Sequence, residues 1–188
     1  MIITLFQAAA FPISEYNYKE VQTAFRAVRG RWPHADVRVA LFNAGFGIWK
    51  PFLQITEEEV DRVADTNVKA AFAFAREAIG AFQGQSLDAR GGRGTLLFTG
   101  ATASLRGNTT TSAFSAAKFA LRSLSQSLNK EFGKENIHVC YLWPLFDRSC
   151  NQSFFSRWHM YVSVLFVPVF THDPVLYAWP GGYRRRCV

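Results

Sequence analysis

Short apolar runs alternate with longer amphipathic segments along most of this 188-residue chain. The runs are rich in β-branched residues and too short for helices, so they predict buried strands. The longer segments repeat apolar residues every three or four positions, which predicts helices. Strands that are apolar throughout and separated by helices are typical of a parallel sheet covered on both faces. We therefore expect an α/β fold with a doubly wound parallel sheet.

Capping residues and helix breakers place the boundaries of these elements. Ser14 can cap the first helix, Thr56 and Glu59 form a capping box for the second, and Gly133 ends the last. The predicted strands are 2–6, 37–43, 95–100 and 137–143, and the predicted helices are 14–28, 56–79 and 111–132.

The regular pattern stops after Trp143. The aromatic residues beyond it follow neither a helical nor a strand period. A segment without its own periodicity is not expected to belong to a consistently encoded core. We expect a domain over residues 1–143, followed by an irregular, poorly ordered and aromatic-rich tail over 144–188.

Composition argues against several classes of function. The net charge is +7, but the basic residues are dispersed and accompany no known nucleic-acid-binding motif. The three cysteines form no CxxC pair and the four histidines show no HExxH spacing, so neither a disulfide framework nor a metal site is predicted. The apolar stretch 161–170 is too short to span a bilayer. We expect a cytoplasmic protein without a nucleic-acid or membrane partner.

Three stretches that can carry chemistry lie where predicted strands end. Asn43, Ala44 and Gly45 follow one strand, "TGATAS" at 99–104 follows the next, and "FSAAK" at 114–118 starts the helix after that. In an open parallel sheet, ligands bind beyond the carboxyl ends of the strands. Each stretch alone is a weak signal, but their order and spacing together are more specific.

This combination resembles the short-chain dehydrogenase/reductase family over about residues 2–140. The resemblance rests on "NAG", "TNVKAAF", "GRGTLLFTGATASLRG" and "FSAAKFALRSLSQSLNKEFGKENIHV". It implies a Rossmann-like sheet that binds NAD or NADP. It also implies oxidation or reduction of a CH–OH/C=O pair in a small-molecule substrate.

The resemblance also implies roles for individual residues. Asn43, Ala44 and Gly45 would stand near the adenine ribose, and Gly45 would permit close approach of the backbone. Asn67 would match the asparagine that supports a proton relay. Lys118 would match the lysine that bonds the nicotinamide ribose and lowers the pKa of the catalytic tyrosine.

Two catalytic positions depart from the family pattern. The tyrosine falls on Phe114, and the serine thirteen residues earlier falls on Ala101. A positioned general acid contributes roughly 10²–10⁴ in rate, and an oxyanion donor about 10²–10³. The resemblance therefore implies an oxidoreductase whose usual hydride-transfer route is impaired.

The two ends of the family pattern depart as well. The glycine-rich phosphate loop of the family would precede everything seen here, so we expect an incomplete Rossmann-like sheet whose first βαβ unit is missing. Binding of NAD(P) is then expected to be weak or absent. After the last strand, only Pro144 matches the Pro-Gly motif that leads to a nicotinamide-binding threonine.

Other interpretations stay open at this stage. The chain can be a catalytically silent binding or regulatory member of the family, a non-functional fragment, or an unrelated α/β binding domain. In the family, helices matching 56–79 and 111–132 often form the subunit interface. Phe72, Phe74 and Phe119 lie off the main apolar stripes of these helices. Either these side chains form a homo-oligomer interface, or they are buried against the chain's own tail.

Overall fold

The computed structural model describes residues 8–142, so the predicted strand 2–6 and the tail 144–188 lie outside the described residues. The helices and strands, in chain order, are α1 Tyr18–Arg31, β1 Val39–Phe42, α2 Glu57–Ala64, α3 Ala70–Gln83, β2 Gly94–Thr99, α4 Ser112–Phe132 and β3 Ile137–Leu142. A π-helical turn, Asp65–Lys69, joins α2 to α3. Short 3₁₀ turns lie at Phe52–Gln54, Thr102–Ser104 and Gly133–Glu135.

The three described strands form one parallel sheet in the order β1-β2-β3. Leu96 of the central strand pairs with Ala40 on one side and with Val139 on the other. Each crossover from one strand to the next contains a helix, as parallel pairing requires. The α/β class and the parallel arrangement predicted from the alternating pattern are therefore confirmed.

The described helices pack against one face of this sheet. Every second strand residue is buried in a core shared with α1, α3 and α4, and the intervening residues, such as Leu41 and Leu97, are only partly buried. The largest buried side chains of this core include Phe25, Phe82, Phe98, Leu96, Leu121 and Ile137.

The first helix begins later than the sequence predicts. Asn17, not Ser14, caps it, because the Asn17 side-chain oxygen accepts the backbone N–H of Glu20 at 2.9 Å. The Ser14 hydroxyl instead donates to the Glu20 carboxylate at 3.3 Å. Both residues have the short polar side chain that favours caps, so the sequence does not distinguish them. The prediction of Ser14 as the cap is wrong. The helix also continues to Arg31, beyond the predicted end at Val28.

The second predicted helix is interrupted. The capping box of Thr56 and Glu59 is present, but at Asp65–Lys69 the helix widens into a π turn. Inside this turn, the Asn67 side chain donates to the Val63 carbonyl at 2.9 Å. A side chain that competes for a carbonyl one turn earlier disturbs the regular ladder. The helix then resumes and extends to Gln83, past the predicted end at 79.

Two side chains on these helices differ from their predicted positions. Phe74, placed off the main stripe by the sequence, is buried and packs edge-to-face against Phe25. Val60, placed on the stripe, is 49% exposed. Phe72 and Phe119 are exposed, so these two phenylalanines, without Phe74, carry the expected association surface.

Gly94 sets how closely α3 can approach β2. A Cβ on Gly94 would lie 2.3 Å from the ring of the fully buried Phe82. We expect Gly94→Ala to destabilise the fold by about 1–3 kcal/mol, because overpacking forces the ring or the helix to move. Gly30→Ala, in α1 with open space around it, should instead stabilise by about 0.5–1 kcal/mol. Urea unfolding checks both, and equal effects would contradict the close packing of Gly94.

Candidate active site

The candidate site lies at the carboxyl ends of β1 and β2, beside the first turns of α4. The ends of the two strands are tied together, because the Thr99 hydroxyl donates to the Asn43 side-chain oxygen at 2.7 Å. This edge is where parallel sheets bind ligands. The segments that the sequence singled out therefore meet at one place in the fold.

Lys118 is the buried charge of the site. Its side chain projects from α4, the residue is 5% exposed, and its Nζ donates to the Thr99 carbonyl at 2.9 Å. No ion pair with a carboxylate is formed by this ammonium within residues 8–142. Burial lowers the pKa of Lys118 from its ordinary value of 10.5 to about 8, because a charge loses the stabilisation of water.

Gly45 lies beside this ammonium. A Cβ placed on Gly45 would lie 3.6 Å from Lys118 Nζ and 3.3 Å from Asn67 Oδ1. Gly45 itself is exposed, and without a side chain its backbone can lie close to both buried groups. The structure thus brings together Gly45, Asn67 and Lys118, which lie far apart in the sequence.

Asn67 holds the turn that carries Gly45. The Asn67 side chain is fully buried, donates to the Phe46 carbonyl at 2.8 Å and accepts from the Phe46 N–H at 3.3 Å. Together with its bond to Val63, these contacts use both amide protons. The amide therefore joins the turn after β1 to the π turn between α2 and α3.

The aromatic ring of Phe114 lies beside the Lys118 amine. Its ring centroid lies 5.8 Å from Lys118 Nζ and 5.2 Å from the Trp49 ring centroid, with the two rings tilted by 40°. A cation within about 6 Å of a ring face gains a modest attraction. A phenyl ring has no proton to donate, so the Phe114 side chain supplies an apolar surface and no acid.

Ala101 lies two residues beyond Thr99, at the start of the turn that follows β2. Its methyl group cannot donate a hydrogen bond. The neighbouring hydroxyls are engaged with the backbone: Ser104 Oγ donates to the Ala101 carbonyl at 2.5 Å, and Ser115 Oγ donates to the Ala103 carbonyl at 2.7 Å. Both serine hydroxyls therefore donate to backbone carbonyls of the turn after β2.

Two further residues were predicted to bind the cofactor, Ala44 and Pro144. Ala44 is buried in the core, and Pro144 lies outside the described residues. No individual role was predicted for Trp49 or for Thr99. Thr99 had a signal, since it is a polar residue at the carboxyl end of a buried strand, whereas nothing in the sequence marks Trp49.

The part of the chain that the structure describes shows no group of three His, Cys, Asp or Glu side chains placed to hold a metal ion. None of its helices is long and apolar enough to cross a membrane.

The family model for short chain dehydrogenases matches residues 5–150. The chain belongs to this family. The resemblance read from the motifs is thereby confirmed, and with it the Rossmann-type α/β class of the fold.

Individual relatives agree with this assignment. The chain is 30% identical over 113 residues to a 3alpha-hydroxysteroid dehydrogenase of Mediterraneibacter gnavus, which covers 60% of this chain and 43% of that protein. It is 34% identical to a solved short-chain dehydrogenase of Rhodopseudomonas palustris, with a TM-score of 0.61 over 68% of this chain and 56% of the other.

A more distant likeness shows the fold alone. An NADH-dependent reductase solved in complex with NAD is 24% identical, with a TM-score of 0.64 over 71% of this chain and 55% of that one. The chain spans less than half the length of the curated relatives that it matches. The matched share of the relative is 37%, 47% and 43% in three of them, the last being the 3alpha-hydroxysteroid dehydrogenase.

The lowered pKa of Lys118 predicts a specific pH dependence of stability. The unfolded chain binds this proton up to pH 10.5 and the folded chain only up to about 8. Stability should therefore rise with pH between these values. Relative to Lys118→Met, the unfolding free energy of the native sequence should gain about 2 kcal/mol from pH 7 to pH 10.

Urea unfolding of both proteins across this pH range measures the difference. Using the difference removes the contribution of the other titrating groups, which the two proteins share. A difference that does not change with pH would show that the amine of Lys118 is hydrated in solution.

Proposed function

We propose that this chain carries the nicotinamide-ribose side of an NAD(P)-dependent oxidoreductase site for a CH–OH/C=O pair, with an impaired proton-transfer step. The supporting observation is the buried Lys118 ammonium beside exposed Gly45, with the phenyl ring of Phe114 where the family has a phenol. The family membership supplies the reaction class, and the substitutions at 101 and 114 argue for the impairment.

The residues present fit the ribose end of a nicotinamide cofactor. An ammonium has three donors, and within residues 8–142 the Thr99 carbonyl accepts one of them. The Lys118 protons that do not point at Thr99 would donate to ribose hydroxyls. Gly45 leaves the space that a Cβ would fill beside Lys118 Nζ, and Asn43 and Ala44 flank it in the same turn. NAD or NADP would supply the hydride when bound.

The proton side of the reaction is where the chain is deficient. Reducing a carbonyl by hydride also requires a proton and a donor to the developing oxyanion. Phe114 and Ala101 offer neither, and the hydroxyls of Ser104 and Ser115 donate to the backbone. We infer that turnover is slower by roughly 10²–10⁴ than it would be with a positioned acid.

A second candidate function is ligand binding without turnover. The Trp49–Phe114 pair offers an apolar wall beside Lys118, which suits a flat or aliphatic ligand. A family member that keeps its binding lysine and loses its acid can still recognise a cofactor or substrate. Variants at positions 101, 114 and 118 discriminate between the two functions.

Restoring the missing donors tests the first function. In a form of the protein that carries the phosphate-binding loop, Phe114→Tyr combined with Ala101→Ser should raise carbonyl reduction about 10²-fold or more, because a phenol and a hydroxyl then face the substrate. In the 188-residue chain the same double change should give no turnover. The assay follows NADH and NADPH consumption with 3-ketosteroids and smaller ketones.

Phe52→Tyr is the matched control, since it makes the same change at a residue that is 72% exposed and has no proposed role. It should leave the rate unchanged. If cofactor binds but the double variant gains nothing over this control, the site binds without catalysing and the second function is favoured. If Lys118→Met does not weaken cofactor binding, the proposed ribose contact is wrong.

We also propose that the chain associates with a second copy through α3 and α4. Phe72 is 57% exposed and Phe119 is 42% exposed, and both project from helices that the family commonly uses for association. Phe72→Ser with Phe119→Ser should convert the assembly to monomer in sedimentation velocity. Leu87→Ser, an equally exposed apolar residue in the loop after α3, is the control. A native monomer at high concentration would contradict the proposal.

A further inference from the structure

The rings of Trp49 and Phe114 pack against the backbone of Gly47, in the turn after β1. A Cβ placed on Gly47 would lie 2.5 Å from Trp49 Cη2 and 3.0 Å from Phe114 Cδ2. A Cβ needs more room than this, since carbon atoms in van der Waals contact lie about 3.5–4.0 Å apart. Glycine at position 47 therefore allows both rings to lie against the chain, with their centroids 5.2 Å apart.

The loop that carries Trp49 is held against α2 and α4. The backbone N–H of Lys50 donates to the carbonyl of Thr110, just before α4, at 3.0 Å. The Lys50 ammonium also forms an ion pair with the carboxylate of Glu59 in α2. Because the loop is bonded to both helices, the indole keeps its orientation before a ligand arrives, and less free energy is lost when one binds.

The indole of Trp49 is also open to solvent. The residue is 53% exposed, although its ring packs against Gly47 and Phe114. A ligand can thus contact the exposed part of the ring directly from solvent, without entering the buried surroundings of Lys118, which is 5% exposed. Open aromatic rings bind planar ligands by stacking, as in proteins that bind single-stranded nucleic acids.

We propose that Trp49 determines the substrate specificity of the candidate site and selects carbonyl compounds that carry a planar aromatic ring. The ligand ring stacks on the exposed part of the indole, next to Phe114, the position that the resemblance assigns to the proton donor. A stacked pair of aromatic rings is more stable than burial of the same apolar area alone, and a saturated ring has no such gain. The inference rests on the proposed oxidoreductase function for the reacting group, and it adds the class of substrate.

Two ketones that differ only in the ring test this preference. Acetophenone and cyclohexyl methyl ketone carry the same acetyl group, and only the ring of acetophenone is planar and aromatic. Burial of apolar surface alone does not favour the phenyl ring over the slightly larger cyclohexyl ring, so tighter binding of acetophenone reports stacking. In equilibrium dialysis with the 188-residue chain and no nicotinamide cofactor, the dissociation constant of acetophenone should be about two- to tenfold lower than that of the saturated ketone.

Three variants connect the preference to Trp49. Trp49→Leu should make the two dissociation constants equal, because leucine keeps an apolar side chain without a ring. Trp49→Tyr should keep most of the preference, because tyrosine restores an aromatic ring. Phe52→Leu is the matched control, since it removes a 72% exposed ring three residues further along the chain, and it should leave the preference unchanged. Circular dichroism confirms that each variant is folded.

Equal dissociation constants for the two ketones in the folded native chain, or binding of neither ketone, would overturn the proposal. A preference that persists in Trp49→Leu, or that disappears equally in Phe52→Leu, would overturn its assignment to Trp49. None of these outcomes bears on the oxidoreductase reaction itself, which is tested by cofactor consumption in the variants at 101 and 114.

Discussion

The side-chain amide of Asn67 is the contact that arranges this site. It bonds the backbone of the turn after β1 on one side and the carbonyl of Val63 in α2 on the other. Because the amide uses the Val63 carbonyl, the helix widens into a π turn. Because the same amide holds Phe46, the turn that carries Gly45 lies against Lys118. The Asn67 amide thus interrupts the regular helix and fixes the turn after β1 against α4.

The Asn67 amide has its hydrogen-bond partners, whereas the buried charge of Lys118 is only partly compensated. Removing its charge from water is unfavourable, and within residues 8–142 only a neutral carbonyl, that of Thr99, compensates for it. A buried lysine in these surroundings lowers the stability of the fold, since an apolar side chain of similar length would avoid the penalty. The resemblance to the family predicts that a phenol would stand at position 114, and the ring of Phe114, whose centroid lies 5.8 Å from Lys118 Nζ, offers no proton there.

The elements that the sequence predicted well are those whose signals are local. The strands and α4 follow from apolar periodicity, and the capping box at Thr56 follows from two residues three positions apart. The errors occur where two local solutions are nearly equal in energy or where a distant partner decides. Asn17 and Ser14 are both capable caps, and the choice depended on which of them reaches the N–H of Glu20. Phe74 lies off the predicted stripe, yet it is buried because α1 brings Phe25 to that side of α3.

The sequence by itself determined the α/β class, the parallel sheet and the family, because apolar periodicity and motif spacing are properties of order along the chain. It also predicted that Phe114 and Ala101 stand where the family has two catalytic hydroxyls. Only the tertiary structure decided that Asn67 bonds the turn of Gly45, that Trp49 faces Phe114, and that Lys118 is buried with a lowered pKa. The physical reason is that desolvation and hydrogen bonding depend on which distant segments meet, and the spacing of residues along the chain does not encode those distances.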